Sequence, residues 1–309
     1  EIGEDPVALK ELSSREQGLS DLLEEKLIEL TEPGPSGPTW YWKGEAYEIN
    51  DSKTMNQLLS SICDDLYPKA PHIHNELINR YQISGAVVTA VKKIAAELLR
   101  GSQEERLGLE GNGPEVSIFK AVYEKTGIYR RSGDAWELHD PEQPDGSNIG
   151  PAWAAITEYV QSCNRTSKPL SDLFVELQAR PYGMRAAMVR LLVWTVLIRN
   201  RDSICLYYDG TFIPEWDVES FELSSRVPEK FTIRYLVSES ATRTVVVGLA
   251  RTLGISRGKV GVNTLLHALF NWYRNLPEFA KRTTQISEEA KGLRDAITTS
   301  SDPIDLLFS

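Results

Sequence analysis

Residues 184–214 read MRAAMVRLLVWTVLIRNRDSICLYYDGTFIP, and this stretch decides the fold that the sequence predicts. Met184–Ile198 is a strongly apolar run interrupted by Arg190, which predicts a helix that is buried nearly all round. Ile204–Ile213 has aromatic and β-branched residues on both sides of Asp209-Gly210. Asp-Gly between two such runs is among the strongest short-range signals of a β-hairpin. The stretch therefore predicts a buried helix that leads into a hairpin.

Two further stretches predict hairpins among helical runs. Trp40–Ile49 turns at Lys43-Gly44, and Ile128–Leu138 turns at Ser132-Gly133-Asp134. Between them, the apolar spacing predicts helices over His72–Tyr81 and Ser84–Arg100, joined by a short turn as in a helix-turn-helix. Helices that end in a small hairpin are the outline of a winged helix, a module that binds DNA or packs against a protein partner.

The predicted fold class is mostly α with small β-hairpins, arranged as tandem winged-helix-like units with helical N- and C-terminal segments. We expect a helical lead and linker over residues 1–39 and a first winged-helix-like domain over 40–140. A second such domain with C-terminal helices is expected over 151–309. The turn-rich stretch Asp140–Gly150 (DPEQPDGSNIG) is the predicted hinge between the two domains.

Composition limits the classes of function. The 309 residues carry a formal net charge of −10, which argues against a surface suited to nucleic acid throughout. The three cysteines are far apart and form no CxxC pair, which indicates reduced thiols and a cytoplasmic protein. No apolar run is long enough to span a bilayer. Because the chain begins at Glu1 without an initiator Met, we expect it to be a fragment of a longer protein.

None of the motif matches in the sequence carries the full set of residues that its chemistry requires. Gly254–Gly258 matches G-x-S-x-G, but His267 and Asp295 follow Ser256 in the wrong order for a nucleophile elbow. No phosphate loop is complete, so no nucleotide or other cofactor is predicted. His72 and His74 are the only clustered metal-type ligands, and zinc sites show tighter signatures. A stand-alone hydrolase that uses Ser256, or a His72/His74 metal site, is kept as an alternative function.

Basic residues gather on predicted helices and on the second hairpin. Such positions are where winged helices contact phosphates, whereas the alternative is a solvated face with salt bridges to the abundant Glu and Asp. The candidate DNA- or partner-binding residues are Lys92, Lys93, Lys120, Lys125, Arg130, Arg131, Arg180 and Arg185.

Several stretches resemble the accessory, non-Walker region of large P-loop ATPases of prokaryotic phage-defence islands, similar to the P-loop component of BREX-type systems. The resemblance covers most of Tyr41–Phe308, and its motifs are structural rather than catalytic. They are Pro71–Arg80 (PHIHNELINR), Arg106–Lys125 (RLGLEGNGPEVSIFKAVYEK), Arg180–Gly183 (RPYG), Leu206–Pro214 (LYYDGTFIP) and Leu276–Phe308. The resemblance implies that the Walker motifs lie outside this chain and that its partners are other defence-system proteins.

These observations together predict a non-catalytic module of a large defence-associated ATPase. We expect it to contact the remainder of the ATPase chain or a protein partner, with double-stranded DNA as a further ligand and no membrane contact. A purely structural module for self-assembly, with apolar surfaces on the C-terminal helices, is the other alternative.

Overall fold

A computed structural model describes residues 5–34, 37–82, 84–142, 146–164, 166–236, 248–254 and 262–299. The chain divides into two compact units, Glu1–Pro68 and Lys69–Ser309. The structure is mostly helical with small antiparallel sheets, which confirms the coarse fold class. The predicted division into 1–39, 40–140 and 151–309 stays a prediction. None of the described helices is long and apolar enough to cross a membrane.

The unit Glu1–Pro68 consists of two helices and a hairpin. Helix α1 (Pro6–Thr31) begins after Asp5, whose carboxylate accepts hydrogen bonds from the first turn, and Pro6 provides the favoured first residue. Strands β1 (Trp40–Trp42) and β2 (Glu45–Tyr47) form the predicted hairpin. Its turn residues Lys43 and Gly44 have positive φ angles of 52° and 87°, as a two-residue hairpin turn requires. Helix α2 (Ser52–Leu66) follows.

The second unit begins with an irregular segment and then helices. Helix α3 is a single turn, Glu76–Asn79, so the predicted helix over His72–Tyr81 is wrong at both ends. Asn75 caps this turn, because its side-chain oxygen accepts hydrogen bonds from the Leu77 and Ile78 amides. Helix α4 (Gly85–Arg100) agrees with the sequence. Helix α5 (Pro114–Phe119) continues as a π-helical turn over Lys120–Glu124 before the second hairpin.

The second hairpin and a four-stranded sheet complete the β structure. Strands β3 (Tyr129–Ser132) and β4 (Ala135–Leu138) confirm the predicted hairpin. The third hairpin is also confirmed, but it belongs to a larger antiparallel sheet of order β5-β8-β6-β7. The elements of this region are α6 (Gly150–Ser162), β5 (Lys168–Pro169), α7 (Leu170–Gln178), α8 (Ala186–Arg199), β6 (Ile204–Tyr208), β7 (Thr211–Ile213), α9 (Val218–Arg226) and β8 (Phe231–Tyr235).

Helix α8 is the centre of the main core, as its sequence predicts. Eleven of its fourteen residues are buried. Two polar groups in this core have partners: Thr195 Oγ1 lies 2.8 Å from the Tyr123 phenol oxygen, and Trp194 donates to Ser224 Oγ at 2.9 Å. A helix with no exposed stripe is typical of a core element, and α8 fixes the positions of the elements around it.

Strand β6 is buried on both faces. Ile204 and Leu206 face the main core, whereas Cys205 and Tyr207 belong to a second, smaller apolar cluster with Leu265. Alternate side chains point to opposite faces of a strand, so each face meets its own cluster. Leu265 lies on α10 (Val262–Arg274), which is followed by α11 (Glu278–Arg282) and α12 (Glu288–Thr299).

Candidate partner-binding pocket

A pocket of about 240 Å³ opens between the segment before α4 and the turn that leads into α8. Ile73, Met184 and Met188 lie in its lining and are each at least nine-tenths buried, so the surface that the pocket exposes is mainly polar. The two walls come from the PHIHNELINR and RPYG stretches, which are about a hundred residues apart in the sequence. The lining residues are Ala70, Pro71, Ile73, Asn79, Tyr182, Gly183, Met184, Arg185 and Met188.

The first wall, residues 70–79, is fixed by side-chain hydrogen bonds. The Asn75 side-chain oxygen accepts from the Leu77 amide at 3.0 Å, and its nitrogen donates to Ser117 Oγ at 3.1 Å. The Asn79 amide nitrogen donates to the Ile73 carbonyl oxygen at 2.6 Å. These bonds replace the regular helical bonds that the sequence predicts, and they hold the wall as an irregular segment that leads into one helical turn.

The second wall is a tight turn at the end of α7. The amides of Tyr182 and Gly183 both donate to the Ala179 carbonyl oxygen, at 3.0 and 2.9 Å. Gly183 has a φ of 60°, in the left-handed region that glycine adopts without strain. The Met184 amide then donates to the Leu177 carbonyl oxygen at 3.0 Å. The Arg180-Pro181 peptide bond in this turn is cis.

A backbone hydrogen bond joins the two walls. The Lys69 amide donates to the Pro181 carbonyl oxygen at 3.2 Å. The Lys69 ammonium lies 5.7 Å from the centroid of the Tyr182 ring, within the range of a cation–π contact. Burial raises the pKa of the Tyr182 phenol, with a smaller contribution from Glu176 and Glu158. The phenol therefore stays neutral, as a hydrogen-bonding group at the pocket wall.

Among the lining residues named above, Arg185 carries a positive charge. The Arg185 guanidinium lies 5.8 Å from the ring centroid of Tyr81, a residue that is 86% exposed. Arg180 and Lys69 are also exposed. None of these three cations forms an ion pair with a carboxylate among the residues that the structure describes. Of these three, Arg185 lines the pocket, so its charge is available to a ligand there.

The predicted basic residues of α4 have a different environment. Lys92 pairs with Glu222 at 2.9 Å, and Lys93 pairs with Glu115 at 2.6 Å. The hydrogen bond from Lys93 lowers the pKa of the Glu115 carboxyl. Lys93 also lines a cavity of about 370 Å³, whose other charged residues are Glu97, Glu104, Glu110 and Glu115. With four carboxylates and one ammonium, the electrostatic potential of this cavity is negative.

The basic residues of the second hairpin are held by local acceptors. Arg130 donates to the carbonyl oxygens of Gly127 and Asp140, and its Nε lies 3.7 Å from Glu142. Arg131 donates to the Gly133 carbonyl oxygen at 3.0 Å and lies 4.0 Å from the Asp134 carboxylate.

Lys120 and Lys125 lie at the π-helical turn and just after it. Lys120 is half-buried and Lys125 is exposed. The structure thus places the eight predicted residues on several separate elements, and of these residues only Arg180 and Arg185 lie on the turn that forms the pocket.

The alternative catalytic sites receive no geometric support within the described ranges. His72 and His74 lie in an irregular segment outside the helices and strands, and Ile73 between them is buried. No group of three or more His, Cys, Asp or Glu side chains in the described part of the chain is arranged to hold a metal ion. Ser256 lies outside the described residues. The three cysteines are free thiols, two buried and one exposed.

The sequence did not reveal that Asn79 lines the pocket, or that Lys69 and Tyr81 contact residues of the second wall. Both wall motifs were recognisable, but nothing in either motif indicates that it packs against the other. No protein-family model matches this chain, and no curated protein or solved structure matches it either.

Proposed function

We propose that the unit Lys69–Ser309 is a non-catalytic protein-binding module. Its pocket would accept an apolar side chain of a partner segment, while Arg185 and Arg180 would contact a neighbouring carboxylate. The observation that carries this proposal is the combination of buried apolar side chains in the lining with Arg185, which has no ion-pair partner among the described residues.

The topology supports a winged-helix-like module that is used for protein contact. Residues 150–235 follow the order helix, strand, two helices, two strands, a further helix and a last strand, and the strands form one small antiparallel sheet. In winged helices that bind DNA, the last helix before the hairpin enters the major groove. Here this helix is α8, and eleven of its fourteen residues are buried. A helix in the core has no free face to offer a groove.

Duplex DNA is a weaker candidate ligand, favoured by the position of Arg131 at the exposed tip of a hairpin. Arg131 is accompanied there by the exposed Asp134. The pairing of Lys92 and Lys93 with glutamates reduces the positive charge that α4 offers to phosphate. Because affinity for duplex DNA depends on the number of phosphates that cations neutralise, these pairs favour a protein ligand.

The resemblance to accessory regions of defence ATPases supplies a proposed partner. We propose that the partner segment belongs to the remainder of a large cytoplasmic P-loop ATPase chain or to another defence-system protein. ATP hydrolysis would then reside in a part of that ATPase beyond residues 1–309. A hydrolase that uses Ser256 or a His72/His74 metal site has no observation that favours it, and zinc analysis of the purified protein by mass spectrometry would test the metal site.

Self-assembly is the second candidate, because the C-terminal helices expose large apolar side chains. Trp272 is 45% exposed, Phe279 is 79% exposed and Leu293 is 42% exposed. Light scattering of the whole chain would test this role through the dependence of apparent mass on concentration. A mass that stays monomeric at every concentration would contradict it.

A comparison of two labelled peptide pools tests the pocket. One pool carries Leu or Phe flanked by Asp and Glu, and the matched pool carries Lys in place of each acid. Fluorescence anisotropy should show tighter binding of the acidic pool, because the rim cations lack carboxylate partners among the described residues. Equal binding of the two pools, or tighter binding of a labelled duplex DNA than of the acidic pool, would overturn the proposal.

A further inference from the structure

Helix α1 carries a stripe of exposed leucines, in the unit that does not contain the pocket. Leu9, Leu12, Leu19, Leu23 and Leu27 are 48–67% exposed. At 3.6 residues per turn their Cα–Cβ directions fall within an arc of about 80°. Every described side chain from Leu9 to Glu29 is exposed, so within the unit Glu1–Pro68 neither the hairpin nor α2 covers this stripe.

Two charged residues belong to the same stripe. The spacing Leu9, Leu12, Glu16, Leu19, Leu23, Lys26 alternates three and four residues, which is the a/d pattern of a coiled coil. Glu16 falls inside the leucine arc, and Lys26 falls at its edge. Glu16 has no ion-pair partner among the described residues, whereas Lys26 pairs with Glu29 at 2.8 Å. A carboxylate at a core position requires an opposite charge from the partner helix.

We infer that α1 pairs with α1 of a second copy of this chain as an antiparallel two-stranded coiled coil. In a parallel, in-register dimer, Glu16 would face Glu16 of the second copy, and Lys26 would face Lys26. Like charges at core positions oppose such a dimer. In the antiparallel register in which residue 21 of both helices is central, Glu16 faces Lys26 of the second copy, and Leu19 faces Leu23. Each core layer is then apolar against apolar, or acid against base.

The positions that flank the core layers add a second pair of opposite charges. In this register Arg15 and Glu29 of the two copies lie on the same side of the interface, next to the Glu16–Lys26 layer. In the single chain Arg15 pairs within its own helix with Glu11, at 2.7 Å and at the exposed surface. The overlap covers residues 11–31 of each helix, which is about 31 Å or three heptads. This length suits a weak, concentration-dependent dimer.

Charge reversal within the stripe tests the pairing by sedimentation velocity of the whole chain. The wild-type chain should dimerise as its concentration rises. Glu16→Lys and Lys26→Glu should each weaken the dimer by about tenfold or more, because each creates like-charged core layers. The double variant Glu16→Lys/Lys26→Glu restores opposite charges and should recover the wild-type dimer to within about threefold.

Matched control variants distinguish the effect of a charge change within the stripe from the effect of a change in net charge alone. Glu25→Lys and Lys10→Glu make the same charge changes on the opposite face of α1, and both should leave the dimer unchanged. Orientation is measured with a spin label at Lys10→Cys in a Cys63→Ser background, which removes the one exposed native thiol. The antiparallel register separates the two labelled positions by about 33 Å along the axis, whereas a parallel dimer places them at one level.

Four outcomes would overturn the inference. The first is a wild-type chain that stays monomeric at every concentration. The second is a dimer that neither single reversal weakens, since its interface would lie elsewhere. The third is a double variant that stays as weak as the single variants, which would show that Glu16 and Lys26 do not face each other. The fourth is a short distance between the labels, which would show a parallel dimer.

Discussion

The phenol oxygen of Tyr123 lies 2.8 Å from Thr195 Oγ1 in the buried core, where it joins the π-helical turn to α8. Thr195 Oγ1 also donates to the Leu191 carbonyl oxygen at 2.7 Å. The threonine proton is thereby committed to the carbonyl, so Tyr123 donates and Thr195 accepts. This pair links the region before the second hairpin to the helix that organises the rest of the unit.

Removing the hydroxyl of Tyr123 and removing the hydroxyl of Thr195 should lower the free energy of unfolding by unequal amounts. Tyr123→Phe should lower the free energy of unfolding by about 1 kcal/mol, because one buried hydrogen bond is lost. Thr195→Val should cost about 2 kcal/mol, because it leaves a buried phenol donor without an acceptor. The double variant should cost less than the sum of the two. Urea denaturation followed by circular dichroism measures all three, and strictly additive effects would contradict the bond.

Alkaline pH should destabilise the chain through its buried tyrosines. Burial raises the pKa of Tyr129 to about 12, and it also raises the pKa values of Tyr123 and Tyr159. Unfolded tyrosine ionises near pH 10, so the unfolded state loses these protons first. The stabilisation is therefore complete below about pH 10 and is lost as the pH rises towards the folded-state values.

The expected loss is about 1 kcal/mol per pH unit for each such tyrosine between pH 10 and 11. Urea titrations at several pH values measure this slope. Tyr129→Phe should reduce this slope by the contribution of one tyrosine. The substitution also removes the hydrogen bonds from the Tyr129 hydroxyl to the Ser102 and Glu104 carbonyl oxygens. The exposed Tyr41→Phe is the control. A stability that is flat up to about pH 11 would contradict the burial of these phenols.

Asn75 should support both stability and the pocket wall. Asn75→Ala removes the cap of α3 and the bond to Ser117, and we expect a loss of about 1–2 kcal/mol. Asn75→Asp keeps the capping oxygen and loses only the donor, so its cost should be smaller. The acidic peptide pool should bind more weakly to Asn75→Ala than to Asn75→Asp. Equal stability of Asn75→Ala and wild type would show that the cap does not hold this wall.

DNA affinity should depend on the glutamates that pair with α4. The wild-type chain should bind duplex DNA more weakly than about 100 µM at physiological salt. Glu115→Gln and Glu222→Gln release Lys93 and Lys92 from their ion pairs, so each variant should bind duplex more tightly at low salt and with a steeper salt dependence. Anisotropy of a labelled duplex at two salt concentrations is the measurement. Tight wild-type binding that Arg131→Ala abolishes would favour the hairpin as a DNA contact.

Local sequence patterns are sufficient to predict some elements of this fold. All three hairpins form where turn residues with positive φ separate β-forming runs, and Asp209-Gly210 is the clearest case. The burial of α8 follows from the absence of a polar face in its sequence. Where a side chain competes with helical hydrogen bonds, the same reasoning fails. Asn75 caps a helix that begins only at Glu76, so the predicted helix over His72–Tyr81 is reduced to one turn.

The candidate site depends on long-range packing, which the sequence does not display. Lys92 and Glu222 are 130 residues apart in the chain, and no local pattern predicts that they pair. The same holds for the two walls of the pocket, which meet through the Lys69–Pro181 hydrogen bond. The identity of the basic residues was evident from the sequence, but whether each retains a free charge follows only from its neighbours in space.

The affinity of the acidic peptide pool for the wild-type chain, Arg185→Glu and Arg131→Glu tests the central claim most directly. Both variants reverse one arginine, but only Arg185 lies at the pocket. We predict that Arg185→Glu weakens binding by about tenfold or more, because it places like charges together, and that Arg131→Glu leaves it unchanged. Equal effects of the two variants, or a larger effect of Arg131→Glu, would contradict a partner-binding pocket between residues 70–79 and 182–188.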